Sequence, residues 1–289
     1  TEAITGQDLV EWQLCVAQGE PLPKKQDELS IDGWAFEARI YAEDATRGFL
    51  PSIGTLTHLK FPQNARADTG VRSNDAITPH YDPMIAKLVV HGANRAQALG
   101  RLERALGATE VAGCTTNLGF LGALTRHAGF AKGEVDTGLI GRDQDELVAA
   151  VAPTGGDWAL AAVLAAGLQN VSATTGFSLW QPLSRTIALV CEDARMDVAL
   201  VCETNTRFIC TVGEAKHVVE NSQGWRIDGQ KAGSNPVIHT GGISLFGRNT
   251  HHFQAVDLLD RAANEDGGAG AIIAPMPGNV KDVMVAQGD

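Results

Sequence analysis

Between Trp158 and Leu168 the chain reads Trp-Ala-Leu-Ala-Ala-Val-Leu-Ala-Ala-Gly-Leu, with no charge in the run. Alanine and leucine favour a helix. A helix that is apolar on nearly all sides is either buried all round or not formed. Up to eight short β-type runs follow it: Ser184–Cys191, Val198–Cys202, Arg207–Val212, Lys216–Glu220, Trp225–Ile227, Pro236–His239, Ser244–Phe246 and Phe253–Leu258. Gly224, Gly229, Gly241 and Gly242 mark turns between them. This spacing suits an all-β barrel or sandwich. A sheet that wraps the helix buries both apolar surfaces at once, so residues 146–265 are expected to form a mainly antiparallel β-barrel around one long apolar helix.

Residues 1–145 mix helix and strand signals. Thr5 with Asp8 resembles a capping box, and Leu9, Trp12 and Val16 follow at helical spacing until Gly19 and Pro21 stop the run. Strand-like runs lie around Trp34–Tyr41, Gly54–Phe61 and Lys87–His91. Asn94 reads as a helix cap, with Ala96, Leu99, Leu102 and Leu106 as one apolar face and Gly107 as its end. Asn117–Arg126 reads as a shorter helix. Strands interleaved with helices, without Gly-rich turns between them, predict an α+β unit. After Asp266-Gly-Gly-Ala-Gly270, residues 266–289 read as a linker, a strand, a Pro-Met-Pro-Gly turn and a second strand.

Composition bounds the function. Of 289 residues, 44% are hydrophobic and 20% charged, which excludes bulk disorder. A net charge of −11 argues against a broad nucleic-acid or anionic-membrane surface. No window approaches the roughly 20 apolar residues needed to span a bilayer. No secretory signal is visible and the chain opens on Thr1, so a piece of something longer is expected. Five cysteines, at 15, 114, 191, 202 and 210, have no C-x-x-C spacing and read as reduced thiols. His251-His252 lacks the partners of a zinc site. There is no G-x-S-x-G elbow, Walker loop or Rossmann fingerprint.

Six segments in order carry a resemblance: Thr1-Glu-Ala-Ile-Thr-Gly-Gln-Asp-Leu-Val10, Gly19-Glu-Pro-Leu22, Gly33-Trp-Ala-Phe-Glu-Ala-Arg-Ile-Tyr-Ala-Glu-Asp44, Phe49-Leu-Pro-Ser52, Gly70-Val-Arg72 and His80-Tyr-Asp-Pro-Met-Ile-Ala-Lys-Leu88. Together they resemble the C-terminal part of a biotin carboxylase domain. Ala274-Pro-Met-Pro-Gly278 and the Gly288-Asp289 turn resemble the opening of a biotinyl carrier domain. The resemblance is therefore to the α subunits of biotin-dependent acyl-CoA carboxylases. It implies three parts: residues 1–145 from the biotin carboxylase domain, 146–265 joining α to β subunits, and 266–289 as linker and start of the carrier domain. The runs Ala108–Leu121 and Gly133–Ile140 look more like the 3-methylcrotonyl-CoA branch than the propionyl-CoA branch; acetyl- and geranyl-CoA enzymes are further alternatives.

The resemblance implies ATP-dependent carboxylation of biotin with bicarbonate, using biotin, ATP and Mg2+ or Mn2+ in the complete enzyme. It implies no cofactor held by this chain alone, no biotinylated lysine within it and no turnover in isolation, because the family's nucleotide loop, metal glutamates and general base lie upstream of Thr1. Partners implied are a β (carboxyltransferase) subunit, the carrier domain and other α subunits, in bacterial cytoplasm or the mitochondrial matrix. In isolation the chain could instead serve as a module that binds the β subunit. By resemblance Arg39 is the catalytic, biotin-binding arginine, whose fixed cation would offset charge growing on the ureido oxygen. Read from the residues alone, Arg39 is a surface arginine paired with Glu37 on one strand face. Glu43-Asp44 reads as a solvated turn. His80-Tyr81-Asp82 is taken as strand residues that do not converge, shaping the floor of the site, and Arg72 and Lys87 as salt-bridged scaffolding.

Overall fold

Asp8 accepts the amides of Val10 and Glu11 and so opens α2 (Leu9–Ala17), while Thr5 ends a separate single turn, α1 (Glu2–Thr5). The expected Thr5–Asp8 capping box is thus replaced by an Asp8 cap, because the Asp8 carboxylate reaches the free amides directly. This computed structural model describes residues 1–256 and residue 282. The expected carrier-domain segment, residues 266–289, therefore lies outside the described residues apart from Asp282. Residues Thr1–Ala255 form one compact unit, and the second unit begins at Val256.

Three antiparallel strands, β1 (Trp34–Tyr41), β2 (Arg66–Thr69) and β3 (Met84–Gly92), assemble in the order β1-β3-β2. One face packs on α3 (Arg95–Gly107), and Ala38, Ile40, Leu88 and Val90 from the sheet meet Leu102, Ala105 and Leu106 from the helix. Because side chains alternate along a strand, Glu37 and Arg39 project from the opposite face. Asn94 caps α3 by accepting the Gln97 amide. Its buried stripe runs through Ala98 and Leu99 rather than Ala96, which is exposed, since 98, 99, 102, 105 and 106 share one face at 3.6 residues per turn. Gly113 connects a short pair, His58–Lys60 with Glu110–Ala112, to α4 (Leu118–Arg126). At Gly113 φ is +102° and an added Cβ would lie 1.8 Å from the Thr55 carbonyl oxygen, so only glycine fits.

The apolar helix is α5 (Gly155–Ala165), opened by reciprocal bonds between Thr154 and Asp157. It starts three residues before the expected run and has eleven residues, so it is about three turns and not long. Ala159, Leu160, Ala161, Ala162 and Val163 are fully buried. Nine antiparallel strands follow: β4 (Ser184–Cys191), β5 (Ala194–Cys202), β6 (Arg207–Val212), β7 (Ala215–Asn221), β8 (Trp225–Ile227), β9 (Gln230–Lys231), β10 (Asn235–His239), β11 (Gly242–Phe246) and β12 (His251–Ala255). They hydrogen-bond in the order β9-β8-β7-β6-β5-β4-β12-β11-β10. β9 is the strand the sequence pattern does not reveal.

Eight gaps of about 4.8 Å would hold the edges of a flat nine-stranded sheet roughly 38 Å apart. Yet β9 ends at Lys231 and β10 begins at Asn235, four Cα steps that reach at most about 14 Å. The sheet must curl back on itself, and α5 fills the inside. Phe208, Leu189, Val198, Leu200, Leu245 and Phe253 close around it. Among the described residues β9 and β10 are not paired, so the expected barrel is an incomplete one with an open seam.

Candidate functional site

Arg39 sits in the middle of β1, opposite Lys87 of β3, which in turn lies opposite Asp68 of β2. The next row on this face is Glu37, Val89 and Arg66. The Arg39 side chain is 58% exposed, and its Nε donates to Glu37 Oε1 at 3.1 Å. That bond, and then Tyr41, hold the guanidinium protonated even more firmly than usual. This geometry is the one read from the residues alone, a surface arginine paired with Glu37 on one strand face. The Glu37 carboxylate is the one partner of the guanidinium among the described salt bridges.

The backbone around Arg39 has a second support. Between Ile40 and Tyr41 the β1–β3 register slips, because Ile40 faces Ala86 and Tyr41 faces Met84. β1 is also an edge strand. On that edge Asn117 donates from Nδ2 to the Arg39 carbonyl at 3.1 Å and accepts the Tyr41 amide on Oδ1 at 3.0 Å. Its own backbone N–H donates to the Tyr41 carbonyl at 3.1 Å. Sequence reasoning placed Asn117 only as the start of a helix.

The remaining residues separate. Asp44 folds a turn by accepting from the Thr46 amide and hydroxyl, at 2.9 and 2.6 Å, and meets Arg47 at 3.6 Å. Glu43 is half-buried, and burial, then Asp82, pushes its carboxyl above the usual range. His80, Tyr81 and Asp82 lie in the turn before β3, not on a strand as expected. Pro83 breaks the extended run, and the Asp82 carboxylate takes the Met84 amide at 3.0 Å to start the strand. Tyr81 is 85% exposed. Arg72 belongs to another turn, where its amide donates to Asp75. His251 is buried while His252 accepts from Ser244 at 2.7 Å. No three carboxylates, imidazoles or thiols converge as a metal site among the described residues. All five cysteines are free.

Residues 37–142 match the family model of the biotin carboxylase C-terminal domain. This stretch is a biotin carboxylase C-terminal domain. The whole chain is similar, at 34% identity, to a methylcrotonoyl-CoA carboxylase subunit alpha of Dictyostelium discoideum, of which it spans 46%. Over 151 residues it is 52% identical to the rice mitochondrial subunit of the same name, covering 51% of this chain and 20% of that one. Among solved structures, the biotin carboxylase domain of Hydrogenobacter thermophilus 2-oxoglutarate carboxylase, in complex with MgADP, ADP and bicarbonate, superposes with a TM-score of 0.50 at 34% identity. That match covers 52% of this chain and 34% of the solved one. The chain thus spans less than half the length of these curated relatives.

Proposed function

We propose that the chain works as part of the α subunit of a biotin-dependent acyl-CoA carboxylase of the methylcrotonoyl-CoA type, and that Arg39 is its contribution to biotin carboxylation. The observation that carries this is the Arg39 guanidinium, exposed on the open face of β1 and aimed by Glu37. Biotin supplies the ureido nitrogen that takes up the carboxyl group. Arg39 supplies a cation where the ureido oxygen gains negative charge, and a preset donor of this kind stabilises the transition state more than the ground state. Glu37 limits the rotation of the guanidinium, and Lys87 across the strand adds positive charge beside it. ATP, Mg2+ or Mn2+ and the proton-removing base belong to the rest of the subunit, and the chain alone is expected not to turn over. Arg39→Ala in the full-length subunit should lower kcat for free-biotin carboxylation about 100- to 1000-fold. An unchanged rate would remove the role.

The division into residues 1–145, 146–265 and 266–289 is part of the same reading, as are the β subunit, the carrier domain and other α subunits as partners. A bacterial cytoplasmic or mitochondrial matrix setting suits it equally. A propionyl-, acetyl- or geranyl-CoA enzyme remains the alternative, since the β subunit selects the acyl group. One observation favours a second reading, in which the barrel part is a module that docks the β subunit. Phe177, Leu179 and Trp180 are 65%, 77% and 92% exposed. They border an open hollow of about 420 Å3 with Cys202 and Asn205. Large rigid aromatics are typical anchors of protein interfaces. Trp180→Ala should weaken capture of the purified β subunit at least tenfold while leaving the α subunit's ATP cleavage with free biotin intact. Equal capture would count against this surface.

A further inference from the structure

We infer that Asn117 is a positioning residue for Arg39: its side-chain amide replaces the missing neighbour strand at the edge of β1 and fixes the backbone from which the guanidinium projects. The inference rests on the biotin-directed role of Arg39 proposed above.

Three observations carry it. In an extended strand the carbonyl of residue i and the amide of residue i+2 point to the same side. At the edge of β1 these are the Arg39 carbonyl and the Tyr41 amide, and among the described residues no strand faces them. A carboxamide has one acceptor and a donor pair at the spacing of a peptide group. Asn117 therefore fills that place with Nδ2 on Arg39 and Oδ1 on Tyr41, and its main-chain N–H adds the Tyr41 carbonyl. Secondly, the contact sits where it is needed, at the register slip between Ile40 and Tyr41. There the opposite edge of β1 loses its regular ladder, and an unsupported strand would let the Arg39 Cα shift. Displacements of about 1 Å at a reacting group are costly in rate.

Thirdly, Asn117 gives up its local job. It stands at the N-cap of α4, a position where asparagine ordinarily accepts an amide of the first helical turn. Here no such side-chain bond forms. The side chain is committed instead to a strand 76 and 78 residues away in sequence, and the residue is 6% exposed. A residue retained merely to start α4 would use its oxygen on the helix.

The test is a double-mutant cycle in the full-length α subunit, using free biotin as the substrate. Asn117→Asp keeps the acceptor for Tyr41 but removes the donor for the Arg39 carbonyl and sets a carboxylate against it. The single substitution is expected to lower kcat for biotin carboxylation about tenfold, with biotin-independent ATP cleavage preserved. In an Arg39→Ala background the same substitution should have no further effect on kcat, because the two act through one group. A wild-type rate for Asn117→Asp overturns the inference, and so does an equal loss in both backgrounds, which would mark a general structural role. Should that substitution lower the yield of folded protein, Asn117→Ser, which keeps a donor and an acceptor, goes through the same cycle with the same two outcomes. If Arg39→Ala itself is neutral, the arginine reading fails first, so the two failures are told apart.

Discussion

Glu110 lies at 5% exposure with three partners: His58 Nε2 at 2.7 Å, Lys60 Nζ at 3.2 Å and Asn235 Nδ2 at 2.8 Å. Burial alone would raise its carboxyl, but the bonds from His58, Asn235 and Lys60 outweigh it and hold the group below its usual range. Glu110→Ala leaves the Asn235 amide and the His58 ring without their acceptor in a poorly hydrated place. It should cost about 1–3 kcal/mol of unfolding free energy, read from the shift in urea midpoint at constant m. Little of this was legible in the sequence, because Glu110 and Asn235 are 125 positions apart and nothing local marks either. Arg39 and Glu37 were legible as a pair, since two residues on one strand share a face. Asn117 was not, because its partners come from a distant strand.

At the scale of elements, helix α5 is held by the strands around it and has no exposed stripe of its own. Leu160 is fully buried and Trp158 packs edge-on against Phe253 with centroids 5.0 Å apart. Leu160→Ala should therefore destabilise by about 2–5 kcal/mol, visible as a loss of several degrees in Tm without any change in the Arg39 chemistry. The burial of this helix could be read from its composition, and the strand runs after it from their alternation: Ser184–Cys191, Arg207–Val212 and Trp225–Ile227 appear with the expected bounds. The missed strand, Gln230–Lys231, has two residues and no apolar signal. Its pairing is imposed by the turn at Gly229, where φ is +79°. The helix bounds, three residues earlier than the expected run, and the closure of the barrel were misjudged because they depend on the Thr154–Asp157 capping bonds and on how far the sheet curls, which periodicity does not report.

For the molecule as a whole, acid should be more damaging than base. The Gly241 amide and the Thr57 hydroxyl both lie 3.1 Å from His239 Nδ1, so this nitrogen accepts and Nε2 carries the proton toward Ser244 at 2.7 Å. Burial, then His58, lowers the affinity of His239 for a second proton. Burial does the same for His251, with Asp157 and Glu192 opposing it. Below about pH 6.5 the unfolded chain takes up protons that these native rings refuse, so stability is lost as pH falls through that window. Glu110 acts in the same direction further down, since its native carboxyl stays ionised below the unfolded value of about 4.5. Urea midpoints should fall from pH 7.5 to 5.5 and again toward pH 4; a flat profile would contradict the buried neutral histidines.

The Glu110–Asn235 bond has a practical consequence. Anyone severing the polypeptide near residue 145 to study the halves separately would strand a carboxylate on one product and its amide partner on the other. The Thr57–His239 contact and the stacking of His58 on Phe246, 5.3 Å between centroids, would be cut in the same stroke. Such halves should be stickier and less tractable than the joined pair, and a boundary chosen from recognisable motifs would be a poor place for scissors.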